Sequence, residues 1–253
     1  PISTRNSTDL DAELDRSRRT GAADDAVHRL TQGLHGQAVV ERLVTEIDAE
    51  VSRRPSDLVV SAVDLDVDPS VPVVRISPLC SGHDLDLVRR TVLDERRRAQ
   101  RHRVWSALVA FTDERLFEHV EEELTQDEVL ERAFGLLRAA GAVGPSFLDD
   151  VRDRERRSPT AFGGRFAIPH SLYMDAERTA LCVLVLAHPV PWGASAVDLV
   201  ITLAVGPRER AVFRDVLDEL VRVLSDPVGV DALVSAGMHY AGFMAALRRQ
   251  TMI

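Results

Sequence analysis

The sequence predicts an α/β protein of two domains, a small open-sheet domain followed by a larger α/β sandwich with helices on its sheet. Three observations carry that expectation. At 253 residues the chain is longer than a typical single domain. In the first hundred residues, two strand-like runs, DLVVSAV (Asp57 to Val63) and VPVVRIS (Val71 to Ser77), alternate with helical text. In the second half, ALCVLVLA and AVDLVITLAV are near-continuous apolar runs, which read as buried strands.

Residues 1–23 are polar and charged without sustained periodicity and are expected to be flexible. Their opening, PISTRNSTDLDAELDRSRR, has neither an apolar leader nor an initiator Met, which predicts a cytoplasmic chain taken from a longer one. From Asp24 the text becomes regular, with DAVHRL and then Val39, Val40, Leu43, Val44 and Ile47 at helical spacing. DLDVDPS is a turn-rich loop between the two strands, and DLDLVRRTVLDE after Gly82 is a helix with Asp84 near its start. These elements make a domain over 24–100, and 101–115 is expected to be a linker. The second domain, 116–253, opens with an amphipathic helix whose Val129, Leu130, Ala133, Leu136 and Leu137 share one face. Thr125 is its N-cap with Glu128 at the capping-box position, and Gly141 its C-cap. FLDDVRDRERR is the next helix, and RAVFRDVLDELVRVLSD and DALVSAGMHYAGFMAAL are two closing helices.

Composition excludes several functions. Hydrophobic residues make up 45%, enough to bury a core, yet no apolar run reaches the length of a membrane span. A net charge of −9 argues against a dominant nucleic-acid surface, because phosphate binding needs a concentrated positive field. All 31 basic residues are Arg, and the one basic run, Arg96 to Arg103, reads as a solvated linker or helix end. Cys80 and Cys182 form neither a disulfide framework nor a metal-ligand spacing. His28, His35, His83, His102 and His119 show no metal spacing, and His188 and His239, the latter on a helix with Tyr240, read as structural. No metal and no cofactor is expected.

The chemistry concentrates in Arg154 to His170, RERRSPTAFGGRFAIPH. A neutral imidazole is nucleophilic, and its pKa of about 6.5 suits it to carry a labile group near neutral pH. Pro169 fixes φ and biases Ile168 toward an extended backbone, so His170 ends a short strand-like run. Gly163 and Gly164 allow backbone N–H groups close to an anion. Arg154 offers a bidentate fork for a phosphoryl group.

This segment resembles the active-site stretch of the fructose/mannitol-type EIIA domain of the bacterial sugar phosphotransferase system. That pattern runs Arg-Glu, four residues of which Pro can be the last, Thr, a Gly three residues on, then Ala-(Val or Ile)-Pro-His. Arg154, Glu155, Thr160, Gly163, Ala167, Pro169 and His170 match it without a gap. The resemblance implies an EIIA fold over 116–253, with His170 as phosphoryl acceptor. Arg154 would stabilise the transferred charge, and Thr160, Gly163 and Gly164 would bind phosphate. It also implies a second histidine after the last strand, in a His-Leu-x-x-Leu setting; counting back from Leu217 puts Phe213 there.

The stretch from Asp57 to Arg90 is similar to the second half of an EIIB domain of the same system, in the version fused to transcriptional regulators. In a phosphate-carrying EIIB a Cys opens the loop after the first strand. With Gly33 and Gly36 in that loop, Leu30 falls near the Cys position, and Cys80 lies in the wrong half of the fold. This domain is therefore expected not to carry phosphate.

The resemblance thus implies a regulatory module of a sugar-responsive transcriptional regulator, like the mannitol-operon activators and antiterminators. It would be switched by a phosphoryl group passed from the carrier HPr to His170 in a phosphohistidine-type phosphotransfer. The alternatives are an EIIA phosphocarrier for sugar uptake and an EIIA-like interaction module without phosphate. An EIIB of a sugar permease and a second copy of the chain, as a homodimer, are further candidate partners. DNA or RNA would be reached only through segments outside this chain.

Overall fold

The computed structural model describes residues 24–36, 38, 58–62, 72–161 and 164–252. The segment 1–23, expected to be flexible, the helical spacing expected from Val39 to Ile47, and Gly163 lie outside the described residues. The chain divides into two compact units, residues 1–99 and 100–253.

In the first unit, helix α1 (24–33) packs Leu30 into a core with Val74, Ile76, Val88 and Val92. Strands β1 (Val59–Ser61) and β2 (Val73–Arg75) pair in parallel, Val59 beside Val73. Helix α2 (Gly82–Phe111) follows. Asp84 lies in its first turn: the Ser77 hydroxyl donates to its Oδ2 at 2.6 Å, and Ser81 donates its hydroxyl at 2.7 Å and its N–H at 2.8 Å. Ser81 Oγ in turn accepts from the Asp84 N–H at 3.3 Å, closing a capping box with an Asp. These donors, the Ser77 hydroxyl foremost, hold the Asp84 carboxyl down at about 2, against an ordinary 3.8. A depressed carboxylate stabilises the fold above its unfolded pKa and loses that contribution as pH falls through its folded one. We therefore expect urea denaturation of wild type to show the first unit weakening from pH 4 down toward about 2. Asp84→Asn should remove that part of the pH dependence.

Residues 101–115, expected to be a linker, are helical through Phe111 and end in a single 3-10 turn, Glu114–Leu116. The physical reason is amphipathic spacing: Val104, Ala107 and Leu108 are buried and belong to the core of the second unit. The basic run sits mid-helix and is almost wholly exposed, with Arg98 ion-paired to Glu95 at 3.0 Å.

The second unit is a sheet covered by helices on both faces. Strands β3 (Phe117–Val120), β4 (Phe166–Ala167), β5 (Ala180–Trp192) and β6 (Ser195–Ala204) lie in the order β3-β5-β6-β4. Only β5 and β6 are antiparallel neighbours. Alternation along β5 and β6 sends Leu181, Val183 and Ile201 to one face, and Cys182, Leu184 and Val200 to the other. Helices α3 (Gln126–Ala139) and α4 (Phe147–Arg157) cover the second of these faces. Helices α5 (Arg210–Leu224), α6 (Pro227–Ala236) and α7 (Tyr240–Thr251), with the end of α2, cover the first.

Helix α3 carries the expected capping box between Thr125 and Glu128, and Gly141 adopts φ +66 after its C-cap. The short strand β3, too brief to show a period, was absent from the sequence reading. The last helical stretch, read as one, is two. It breaks at Gly237, whose added Cβ would meet Val185 Cγ2 at 2.7 Å, so the chain passes the sheet too closely for a side chain there. His239, placed by sequence on a helix, is the extended N-cap of α7. Among the described residues, no helix is long and apolar enough to cross a membrane.

Candidate phosphoryl-acceptor site

His170 stands at the end of the sheet where β5 begins and β6 finishes. The residues after β4 keep its parallel register on β6: Phe166 lies beside Leu199, Ala167 beside Val200, and His170 bridges to Leu203. The Leu203 N–H donates to the Pro169 carbonyl at 2.8 Å. Pro169 is thus used as an extended, acceptor-only residue, as its missing N–H requires.

The imidazole is half-buried, with Nδ1 2.8 Å from the Ile168 carbonyl oxygen. A carbonyl can only accept, so Nδ1 carries the proton and Nε2 keeps the lone pair. That arrangement makes Nε2 the nucleophilic atom.

Arg154 arrives from α4 through an antiparallel return. Ala161 bridges Ala167, and the Ile168 N–H donates to the Thr160 carbonyl at 3.4 Å. Arg154 donates from Nη1 to the Ser158 carbonyl, two residues before Thr160, so its guanidinium is held against the start of this return. Both carboxylates next to it in sequence are engaged elsewhere. Asp153 pairs with Arg156, and Glu155 takes Thr160 and Trp192. Among the described residues Arg154 has no carboxylate partner, which leaves its charge available to an anion.

Two of the residues expected to bind phosphate, Thr160 and Gly164, are described, and each has another partner. Thr160 is fully buried and spends both donors on Glu155: its N–H reaches Oε2 at 3.0 Å, and its hydroxyl bonds Oε1. It therefore holds the Pro159–Thr160 step in place, with neither donor free for a phosphoryl group. Gly164 sits beyond the opposite end of the strand. From Phe166 to His170 an extended backbone covers about 13 Å, and Gly164 lies two residues before Phe166. Its hydrogen faces the Phe166 ring, where a Cβ would meet Cδ1 and Cε1 at 3.1 Å. A side chain there would press on the aromatic ring. The adjacent Arg165 is also committed, to Asp198 at 2.9 Å and to Asp231.

The sequence reading missed Trp192. Its indole N–H donates to Glu155 Oε2 at 2.8 Å, and both side chains are buried, Trp192 fully and Glu155 with 5% exposed. Trp192 ends β5 at a two-residue hairpin. There Gly193, at φ +62, leaves room for Pro159, which an added Cβ would meet at 2.9 Å. The β5–β6 hairpin thus clamps the segment that carries Arg154 toward His170. A Pro-Trp-Gly step after an apolar strand was the available signal.

Phe213, at the position where a second histidine was expected, is 2% exposed and packed in the core facing α5. Among the described residues, no group of three or more His, Cys, Asp or Glu side chains is placed to hold a metal ion. Cys80 and Cys182 are free and buried, and burial raises the pKa of both thiols.

The family model described as phosphoenolpyruvate-dependent sugar phosphotransferase system, EIIA 2, matches residues 110–241, just over half of the chain. The chain is 26% identical over 185 residues to the probable licABCH operon regulator of Bacillus subtilis, a match covering 73% of this chain and 28% of that protein. It is 28% identical over 181 residues to the transcriptional regulator ManR of Bacillus subtilis, covering 70% of this chain and 27% of that protein. It is also 30% identical over 117 residues to the mannitol-specific phosphotransferase enzyme IIA component of Halalkalibacterium halodurans, covering 45% of this chain and 79% of that protein. The chain therefore spans little more than a quarter of the length of the regulators it matches. Through residues 110–241, this chain belongs to the EIIA 2 family of the phosphoenolpyruvate-dependent sugar phosphotransferase system.

Proposed function

We propose that the chain is the phosphotransferase-responsive part of a sugar-linked transcriptional regulator, and that it takes a phosphoryl group from phospho-HPr on His170 in the cytoplasm. The observation that carries the reading is the His170 ring itself: Nδ1–H is tied to the Ile168 carbonyl, and Nε2 is left as the free nucleophile. In the step, a P–N bond forms at Nε2 as the donor's P–N bond breaks, and the bond's electron pair returns to the donor imidazole. The Nδ1 proton stays at the Ile168 carbonyl. Arg154 meets the charge on the equatorial oxygens, so catalysis is positioning and charge stabilisation.

The likeness to two regulators over 185 and 181 residues supports a regulatory rather than a transport role, because both matches are longer than the 117 residues shared with the mannitol IIA component. The unit before residue 100 is read as a degenerate EIIB-like domain without a phosphate-carrying Cys. Cys80 is fully buried, and burial and the nearby Asp84 carboxylate push its thiol pKa up, which suits a packing role and not a nucleophile. An EIIB of a permease and a second copy of the chain remain the other partners of this reading, with DNA or RNA bound by other segments. The test is phosphate acceptance from phospho-HPr, which His170→Ala must abolish.

A further inference from the structure

Arg210 is the first residue of α5, one turn before Phe213. Four bonds place it at the same end of the sheet as His170. The Ala176 N–H donates to the Val205 carbonyl at 3.1 Å, and the Gly206 N–H to Thr179 Oγ1 at 2.9 Å. The Thr179 hydroxyl donates to Glu209 Oε2 at 3.1 Å, and Arg210 Nη2 to the Met174 carbonyl at 3.1 Å. The loop that leaves His170 is therefore stitched to the turn that enters α5.

The same Nη2 lies 3.4 Å from the Tyr173 carbonyl, three residues past His170 and so at most about 10 Å from it along the chain. The guanidinium is exposed, and among the described residues no carboxylate pairs with it and its Nε and Nη1 make no hydrogen bond. Met174, which it holds, adopts φ +49, a left-handed conformation that a side-chain-bearing residue keeps only when its surroundings impose it. Alternation along the strand sends His170 to the side of Phe166 and Ile168, the face that α5 covers.

We propose that Arg210 is a second phosphoryl-binding cation, donating to the phosphate on His170 from the helix turn where Phe213 has no donor to offer. The inference rests on the reading of His170 as phosphoryl acceptor. Arg154 approaches from α4 and Arg210 from α5, so the two guanidinium forks meet the dianion from different elements. Phe213 then serves the core alone, and the charge that an imidazole would have supplied comes from one turn earlier.

The test compares wild type, Arg210→Gln, Arg210→Lys and, as a control, Arg208→Gln, an exposed neighbour. The rate of phosphate gain from phospho-HPr is read by intact mass. Arg210→Gln should slow it about ten- to a hundredfold, the effect of one charge-assisted hydrogen bond. Arg210→Lys should recover most of the rate, and Arg208→Gln should match wild type. A second arm needs no transfer: inorganic phosphate is titrated while the amide resonances of residues 170–174 and 210 are followed. Arg210→Gln should weaken that binding by a similar factor, and circular dichroism should show the same fold. Equal phosphate affinity in wild type and Arg210→Gln would overturn the proposal, as would equal transfer rates. A wild type that binds phosphate through Arg210 but takes none from phospho-HPr would leave Arg210 as an anion site and reject the acceptor reading instead.

Discussion

Glu155→Ala should destabilise the second unit by about 3–5 kcal/mol, the largest loss expected from any single truncation near the site. The carboxylate accepts three donors in a nearly dry setting: the Thr160 N–H, the Thr160 hydroxyl and the Trp192 indole N–H. Removing it orphans all three, and each buried unsatisfied donor costs about 1–3 kcal/mol. Trp192→Phe takes away a single bond while keeping most of the ring volume, and should cost only about 1–2 kcal/mol. Urea unfolding of the three proteins at constant m-value measures both. A Glu155→Ala loss below about 1 kcal/mol would show that water enters and rescues the donors. The same cluster links stability to function. Glu155 holds Thr160, Thr160 is paired through its carbonyl with Ile168, and Ile168 orients His170. Glu155→Ala should therefore also slow phosphate acceptance.

Arg154→Ala should leave stability almost unchanged and slow phosphate acceptance about ten- to a hundredfold. The side chain makes one bond to protein, to the Ser158 carbonyl, and is only half-buried. Its loss costs the fold about 1 kcal/mol or less. The transferring phosphoryl group loses a guanidinium with no competing carboxylate among the described residues. Arg156→Ala is the matched control, since Arg156 is already paired with Asp153 on the solvent side. Transfer rates from phospho-HPr, read by quenched intact mass, separate the two. Equal rates in Arg154→Ala and Arg156→Ala would remove Arg154 from the mechanism.

Long periodic elements were legible in the sequence because their signals are local. The amphipathic face, capping box and terminal glycine of α3 stand in one stretch of text and recur in the structure. The core of the β5 and β6 runs was legible for the same reason. Elements set by tertiary contact were not. Helix α2 runs through the expected linker because Val104, Ala107 and Leu108, a short apolar stripe following a run of arginines, are buried in the core of the second unit. The α6–α7 break follows from the approach of Gly237 to Val185, a contact between residues about fifty apart. At the site, the residue types Arg154 and His170 were legible from the motif. Their surroundings were not: the Glu155–Trp192 bond joins residues 37 apart. Gly164 stands apart from His170 because the backbone between them is extended, a separation that a motif of co-occurring residues does not reveal.

The most direct test of the central claim charges HPr with enzyme I and phosphoenolpyruvate from the same organism. Wild type and His170→Ala are then followed by intact mass under neutral and mildly acidic quench. Wild type should gain one acid-labile phosphate and His170→Ala none, with both proteins equally folded. A wild type that stays unphosphorylated in the presence of charged HPr, or a His170→Ala variant that still gains phosphate, would contradict it.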